Sequence, residues 1–239
     1  MDEMGRNLLE INNITKFYGK KKGINNFSLN IGGGEVTCIV GPNGSGKSTS
    51  IKIISGVMKS NNGQCMLNKM NTADIETKKH IGYLEESPFL YEDLTVYQFI
   101  NFVFSVKCLD NNEIECERLI KKFELWEYRN TLIKKLSMGM RKRVSIIVAI
   151  MNYPPLIILD EPTNGLDTKS VISLKEEILY AKKHNCIIIV SSHILDFLKQ
   201  IGTNFVFLKN GEIVKKINYC DNLDLDAIYK NLYINEKAI

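Results

Sequence analysis

The chain has 239 residues, of which 44% are hydrophobic, and this is enough for one large α/β domain or two smaller lobes with a real core. Its formal net charge of +4 is too small to indicate a nucleic-acid partner. No window approaches the ~18 consecutive apolar residues that a membrane span needs, and residues 1–6 lead into no apolar stretch typical of a secretory signal.

The N-terminal part of the chain is predicted to consist mainly of strands around one short helix. Apolar and polar residues alternate over residues 8–37, which indicates antiparallel strands. Residues 36–40 form a β-branched apolar run that is typical of a buried strand. We expect a helix over residues 47–55 and short strands again over residues 61–84.

The centre of the chain changes to helical spacing. Apolar residues recur three and four positions apart over residues 96–125, as at Val96, Phe99 and Ile100, and predict a mostly helical insert. Another helix is expected over residues 141–151, before two prolines.

The C-terminal part alternates buried strands with helices. Residues 156–159 and 186–190 are predicted strands, and residues 169–183 are a predicted helix between them. A hairpin follows, with Asn210-Gly211 at its turn, and the tail after Asp221 has loose helical spacing.

A phosphate-binding loop follows the predicted strand at residues 36–40. Its sequence fits G-x-x-x-x-G-K-[ST], in which glycines let backbone N–H groups converge on phosphate and the lysine brings a positive charge. The order strand, loop, helix disfavours a glycine-rich turn with a chance lysine, and the helix N-terminus favours anions. The predicted nucleotide-binding residues here are Gly41, Pro42, Asn43, Gly44, Ser45, Gly46, Lys47, Ser48 and Thr49.

Further motifs occur in a fixed order along the chain. They are Tyr18, Glu86, Leu136-Ser137-Met138-Gly139-Met140, Asp160-Glu161, Pro162-Thr163-Asn164-Gly165-Leu166-Asp167 and His193. With the phosphate loop, and over residues 8–215, they resemble the ATP-binding subunits of ABC transporters. The resemblance implies ATP hydrolysis with ATP and Mg²⁺ as cofactors.

The resemblance implies a role for each motif residue. Tyr18 would stack on adenine, Ser48 and Asp160 would support Mg²⁺, and Glu161 would be the general base for the attacking water. His193 would sense the γ-phosphate, and Lys47 would neutralise charge during hydrolysis. Taken alone, a core tyrosine, a structural histidine and structural carboxylates at a strand end are the alternatives.

Two motifs depart from the family pattern. Glu86 stands where the family has glutamine; it is predicted to reach Mg²⁺ through oxygen, and an exposed acidic loop is the alternative. Ser137 and Gly139 match the family signature L-S-G-G-Q, but Met138 and Met140 do not. Ser137 and Gly139 are expected to face the γ-phosphate of ATP bound to the opposite subunit, and a plain N-capped helix is the alternative.

The fold implied by the resemblance is an α/β P-loop NTPase core with an antiparallel β subdomain and a helical insert. The core lobe is predicted over residues 1–85 and 156–220, the insert over 86–155 and a tail over 221–239. Two such subunits, identical or different, would clamp two ATP molecules, and Asp167 would meet the phosphate loop of the second subunit.

The expected partner is an integral membrane permease of the export type, because the chain has no apolar span of its own. The motif forms resemble the branch that drives ABC-2-type exporters, including drug and antimicrobial-peptide resistance pumps. The six cysteines lack paired C-x-x-C spacing, so free thiols are expected in a cytoplasmic protein held at the inner face of the membrane by its permease.

Two other classes of function remain open from the sequence. One is a soluble ABC-type ATPase acting on nucleic acid or ribosomes. Only about 90 residues separate the phosphate loop from the signature, without heptads, which disfavours the coiled coil of DNA-repair members. The other is a regulatory module that binds ATP without turnover, which the presence of Glu161 and His193 disfavours.

Overall fold

The computed structural model describes residues 7–19, 21–107 and 113–235, and these residues form two β-sheets and a set of helices. The strands are β1 Leu8–Tyr18, β2 Lys21–Gly32, β3 Val36–Val40, β4 Asn62–Leu67, β5 Met70–Asn71, β6 Ile81–Leu84, β7 Leu156–Asp160, β8 Ile187–Ser191, β9 Asn204–Lys209 and β10 Glu212–Asn218. The α-helices are α1 Lys47–Ile54, α2 Ile75–Lys78, α3 Val96–Val106, α4 Glu113–Lys122, α5 Met138–Ile150, α6 Thr168–Lys183, α7 Leu195–Ile201 and α8 Leu225–Tyr233.

The first sheet is antiparallel, with strand order β2-β1-β4-β5. Leu9 and Ile11 of β1 are buried on one face, as the alternation over residues 8–37 predicts. The register between β1 and β2 shifts beyond Ile11, near Asn13 and Asn26, which both have positive φ angles. The sheet therefore bends, and β1 ends at Tyr18, a predicted nucleotide contact.

The second sheet has the order β10-β9-β3-β8-β7-β6. Strands β9, β3, β8, β7 and β6 are parallel, and β10 pairs antiparallel to β9 across the Asn210-Gly211 turn, where both residues have positive φ. Every residue of β3, β7 and β8 is buried, as expected for strands covered on both faces. Because these three strands are neighbours and parallel, the loops that follow them meet at one edge of the sheet.

The region between β6 and β7 is helical. Its first helix, α3, begins with a capping box in which Thr95 accepts from the Gln98 N–H and the Gln98 side chain accepts from the Thr95 N–H. An apolar core runs unbroken from α3 through α5 to the sheet. A Cβ atom on Gly82 would lie 1.8 Å from the Ala149 carbonyl oxygen, so α5 packs closely on β6. The division into a core and an insert at residues 86–155 stays a prediction.

A buried ion cluster ties α4 to α6. Glu177 is 1% exposed and accepts hydrogen bonds from Arg118 at 2.8 Å and from Tyr153 at 2.5 Å, and it pairs with Lys122 at 2.6 Å. Burial acts to raise the pKa of Glu177, but the hydrogen bonds from Arg118, Lys122 and Tyr153 outweigh it and lower that pKa to about 2. The insert is thus joined to the helix that follows the predicted catalytic loop.

Several element bounds differ from the sequence prediction. Helix α5 begins at Met138, three residues before the predicted start, because Ser137 caps it. Helices α2 and α7 are too short to show a clear apolar period, and α7 is held by buried Phe197, Leu198 and Ile201. Residues 108–112 of the predicted insert, Cys108 among them, and residues 1–6 and 236–239 lie outside the described residues. The five described cysteines are free, and no described helix has both the length and the apolar character of a membrane span.

Candidate nucleotide site

The loop between β3 and α1 has a backbone that requires glycine. Gly46 has φ 108°, and a Cβ atom there would lie 2.7 Å from the Gly23 carbonyl oxygen. A Cβ atom on Gly41 would lie 2.5 Å from the Ser45 Oγ and 2.7 Å from the Leu208 carbonyl oxygen. Helix α1 starts directly at Lys47, so its unpaired N–H groups face the loop.

Lys47 is 8% exposed and folds back onto its own loop. Its ammonium donates to the Gly41 carbonyl at 2.7 Å and to the Pro42 carbonyl at 3.3 Å. An anion in the loop would compete for the same ammonium, since a charged acceptor forms a stronger hydrogen bond than a neutral carbonyl.

A cleft of about 620 Å³ opens beside the loop. The predicted site residues that line it are Tyr18, Asn43, Gly44, Gly46, Lys47, Ser48, Thr49, Glu86 and Glu161, with Gly23 beside them. Tyr18 is 48% exposed, and its hydroxyl lies 3.3 Å from the Met58 sulfur and 3.5 Å from the Thr49 hydroxyl oxygen. The ring therefore stands at the wall of the cleft with a face available for stacking.

Asp160 and Glu161 end β7 at the same edge of the sheet, and Ser191 at the end of β8 holds both. The Ser191 hydroxyl donates to Asp160 Oδ1 at 2.5 Å. The Glu161 N–H donates to the Ser191 carbonyl at 3.1 Å and to its Oγ at 3.0 Å. Glu161 has φ 45°, a left-handed conformation that a non-glycine residue rarely adopts. Strain at this position is thus offset by neighbouring hydrogen bonds.

Glu161 and His193 form a pair. The His193 Nδ1 lies 2.9 Å from Glu161 Oε2, and the His193 N–H donates to the same oxygen at 3.3 Å. The carboxylate is nearly buried, whereas the imidazole is 63% exposed. A carboxylate oriented by an imidazole beside a phosphate loop is an arrangement suited to activating water.

The segment at Glu86 is held from two helices. Lys52 of α1 pairs with Glu85 at 2.6 Å, and hydrogen bonding to Glu85 raises the pKa of Lys52. On the other side, the Lys142 ammonium of α5 donates to the Glu86 carbonyl at 3.1 Å. Glu86 itself is exposed and lines the nucleotide cleft.

The signature residues lie away from this cleft. Ser137 accepts from the Met140 N–H at 3.3 Å and caps α5, while a Cβ atom on Gly139 would lie 2.9 Å from the Gly165 carbonyl oxygen. Asp167 caps α6 by accepting from the Ser170 N–H at 2.8 Å, and this backbone hydrogen bond lowers the pKa of Asp167. None of these three residues lines the cleft within the described part of the chain.

Sequence reasoning missed three residues that organise the site: Ser191, Lys52 and Lys142. Ser191 is the last residue of β8, so its place beside Asp160 depends on β7 and β8 being neighbours. The two lysines lie on helices whose orientation toward the Glu86 segment is set by packing. Their only signal in the sequence is a positive charge near a motif.

Comparison with known proteins identifies the family. Residues 24–164 match the sequence pattern of the ABC transporter family. The lantibiotic transport ATP-binding protein SrtF of Streptococcus pyogenes is 34% identical over 96% of this chain and 99% of its own length. The bacitracin transport ATP-binding protein BcrA of Bacillus licheniformis is 30% identical over 89% and 70%, and the SkfA peptide export ATP-binding protein SkfE of Bacillus subtilis is 30% identical over 88% and 89%.

Solved structures agree with the sequence relatives. An ATP-binding subunit of an ABC transporter superposes with a TM-score of 0.87 at 31% identity, covering 94% of this chain and 99% of that one. A dimeric ATP-binding cassette bound to ADP and Pi in a post-hydrolysis state superposes with a TM-score of 0.77 at 26% identity, covering 88% and 98%. This chain therefore belongs to the ABC transporter family, as an ATP-binding cassette with the fold and the activity of an ATPase.

Proposed function

We propose that this chain hydrolyses ATP to power a membrane export permease, and that two such subunits close around two ATP molecules. The observation that carries the proposal is that the phosphate loop, Glu161 and Glu86 line one cleft, and that His193 lies 2.9 Å from Glu161. The transport and peptide-export names of the relatives support a peptide antibiotic as cargo and a subunit that associates with a membrane permease, here proposed at the inner face of the membrane.

The chemistry assigned to the cleft is phosphoryl transfer to water, which depends on positioning and charge neutralisation. Tyr18 stacks on adenine, and the loop from Gly41 to Thr49 holds the phosphates. When ATP binds, the Lys47 ammonium gives up its hydrogen bonds to the Gly41 and Pro42 carbonyls and donates to phosphate oxygens instead. Glu161 takes the proton of the attacking water, and His193 orients that carboxylate and contacts the γ-phosphate.

The donor set of the cleft fits Mg²⁺. Asp160 is 0% exposed, and its Oδ2 atom is buried without a hydrogen-bond partner in the described structure. A buried unpaired carboxylate oxygen suits a cation or its water, with Ser48 and Glu86 contributing from the cleft. No group of three acidic, His or Cys side chains among the described residues is arranged as a metal cage. Bound Mg²⁺ would neutralise charge on the β- and γ-phosphates.

Ser137, Gly139 and Asp167 are assigned to the second subunit's site. They lie outside the cleft of their own chain, and Ser137 is at the N-terminus of α5, where N–H groups suit a phosphate. The proposed dimer would bring these residues opposite the phosphate loop of the other copy.

The change Ser137→Arg should leave ATP binding by the monomer intact but prevent ATP-dependent dimerisation and hydrolysis. A bulky cation would occupy the space assigned to phosphate. Size-exclusion chromatography with ATP, together with phosphate release, measures both effects.

The matched control is Ser137→Ala, which removes the cap of α5 at a cost of about 1 kcal/mol without adding bulk. It should retain ATP-dependent dimerisation. An arginine variant that dimerises and hydrolyses ATP normally would exclude the composite site.

A groove beside the cleft is the proposed permease contact, and we call it the insert groove. It encloses about 550 Å³, and its lining includes Glu86, Phe89, Leu90, Met138 and Lys142. Glu86 lines both the groove and the nucleotide cleft, so a displacement of Glu86 by a bound permease would also change the nucleotide cleft. Phe89 and Met138 are 82% and 83% exposed, and such apolar exposure is typical of an interface.

The burial of individual side chains distinguishes two interpretations of the segment that follows Glu86. The sequence leaves open whether Phe89 and Leu90 pack inside or meet a partner. Leu90 is 8% exposed and packs in the core, whereas Phe89 and Tyr91 are exposed and meet edge to face at 5.7 Å. Tyr91 also contacts Phe102.

The changes Phe89→Glu and Tyr91→Glu should abolish co-purification with the permease while melting temperature and ATP binding are retained. A charge on an exposed interface residue costs binding and little stability. The control is Ile75→Glu, which should co-purify normally, because Ile75 is as exposed as Phe89 but does not line the insert groove.

Two results would oppose this placement of the permease. A collapse in melting temperature for both variants would mean that the residues belong to the core. Normal co-purification of both would place the permease contact elsewhere.

A further inference from the structure

A buried lysine lines the insert groove. Lys142 of α5 is 6% exposed, and its ammonium has three N–H donors. One of them reaches the Glu86 carbonyl at 3.1 Å, which is the hydrogen bond that Lys142 makes among the described residues. No described carboxylate lies within ion-pair distance of Lys142. Burying an ammonium with so few hydrogen-bond partners costs folding free energy, so a favourable interaction elsewhere must offset that cost.

The reason lies in the field of the acidic groups near it. Burial lowers the pKa of Lys142, while Asp160, Glu86 and Glu161 act in the opposite direction. Helix α5 packs against β6 and β7, and the acidic residues stand at the C-terminal side of these strands: Asp160 ends β7, Glu161 follows it, and Glu86 lies two residues beyond β6. These are the same residues that we assign to Mg²⁺ and to the attacking water.

The position of Lys142 also limits what it can do. It lines the insert groove and does not line the nucleotide cleft within the described structure. It therefore acts on ATP through the carboxylates and the Glu86 backbone, not by direct contact.

We propose that Lys142 is a positioning residue that holds the Glu86 segment against the ends of β6 and β7. Its positive charge also offsets the negative charge of Asp160, Glu86 and Glu161. ATP can therefore enter the cleft before a metal ion binds. The inference rests on the proposed nucleotide site. It predicts that removing this charge makes nucleotide binding more dependent on Mg²⁺.

The test compares the affinity of a β,γ-imido analogue of ATP in Mg²⁺ and in EDTA by calorimetry. For Lys142→Met, the ratio of the EDTA Kd to the Mg²⁺ Kd should rise about tenfold above that of the wild type, since an unscreened negative site then repels free nucleotide. Lys142→Arg keeps the charge and should return the ratio to the wild-type value.

Lys107 provides a matched control. Its ammonium donates to the backbone carbonyl of Ile81 at 3.0 Å, and burial lowers its pKa to about 8. Among the residues that the structure describes, no acidic group contributes to that pKa shift. Lys107→Met should therefore lose comparable stability and leave the affinity ratio unchanged.

Each outcome separates this inference from the proposed function. A ratio for Lys142→Met equal to that of the wild type, or an equal rise for Lys107→Met, would overturn the role of Lys142. A wild-type protein that fails to bind the analogue at all would instead refute the nucleotide site. If Lys142→Met does not fold, Lys142→Gln removes the same charge with a polar end and decides the question.

Discussion

Replacing Glu161 with glutamine is expected to slow ATP hydrolysis by about 10²–10⁴-fold while ATP still binds. The amide keeps the size of the side chain but cannot accept the proton of the attacking water. The left-handed backbone of Glu161 and its hydrogen bonds to Ser191 do not depend on the carboxylate, so the loop should keep its shape. Phosphate release under saturating ATP measures the loss.

The same Glu161→Gln protein should accumulate as an ATP-bound dimer, because closure no longer ends in hydrolysis. Size-exclusion chromatography detects the dimer, and the addition of EDTA should dissociate it into monomers. Glu117→Gln is the control, since Glu117 pairs with Lys121 on the surface of α4. Turnover near the wild-type rate in the Glu161 variant would exclude that residue as the base.

Replacing Lys47 with alanine is expected to abolish tight ATP binding. Lys47 is the buried cation of the phosphate loop, and charge-assisted hydrogen bonds to phosphate are about twice as strong as neutral ones. The variant also loses the hydrogen bonds to the Gly41 and Pro42 carbonyls, so melting temperature must be measured beside calorimetry.

Lys78→Ala is the matched control for the phosphate loop. The Lys78 ammonium also donates to a backbone carbonyl, that of Ser55 at 2.8 Å, but Lys78 does not line the cleft. It should keep ATP affinity close to that of the wild type. A Lys47 variant with unchanged ATP affinity would contradict the assignment of the loop.

The elements that the sequence predicts well are those with contiguous signals. The β3-loop-α1 unit is one, because eight adjacent residues carry the motif and a β-branched run precedes it. The strand β7 and the Asn210-Gly211 hairpin are others, since short apolar runs and turn residues are local. Helices α2 and α7 escaped prediction because packing stabilises them more than their own periodicity does.

The contact between Glu161 and His193 could not be predicted from local sequence signals. The two residues are 32 positions apart, and each was predicted as functional by its motif alone. Their contact at 2.9 Å exists because β7 and β8 are adjacent and parallel, which no local pattern states. Ser191 enters the site for the same reason.

By itself the sequence determined the α/β class and the phosphate-loop motif, and it predicts the reactive side chains, because each of these signals depends on residues close together in the chain. The tertiary structure alone decided that Leu90 is buried while Phe89 is exposed, and that the Lys142 ammonium donates to the Glu86 carbonyl. Both depend on how α5 and the segment after β6 pack against the sheet. Packing between distant segments, unlike a motif, leaves no fixed spacing in the sequence.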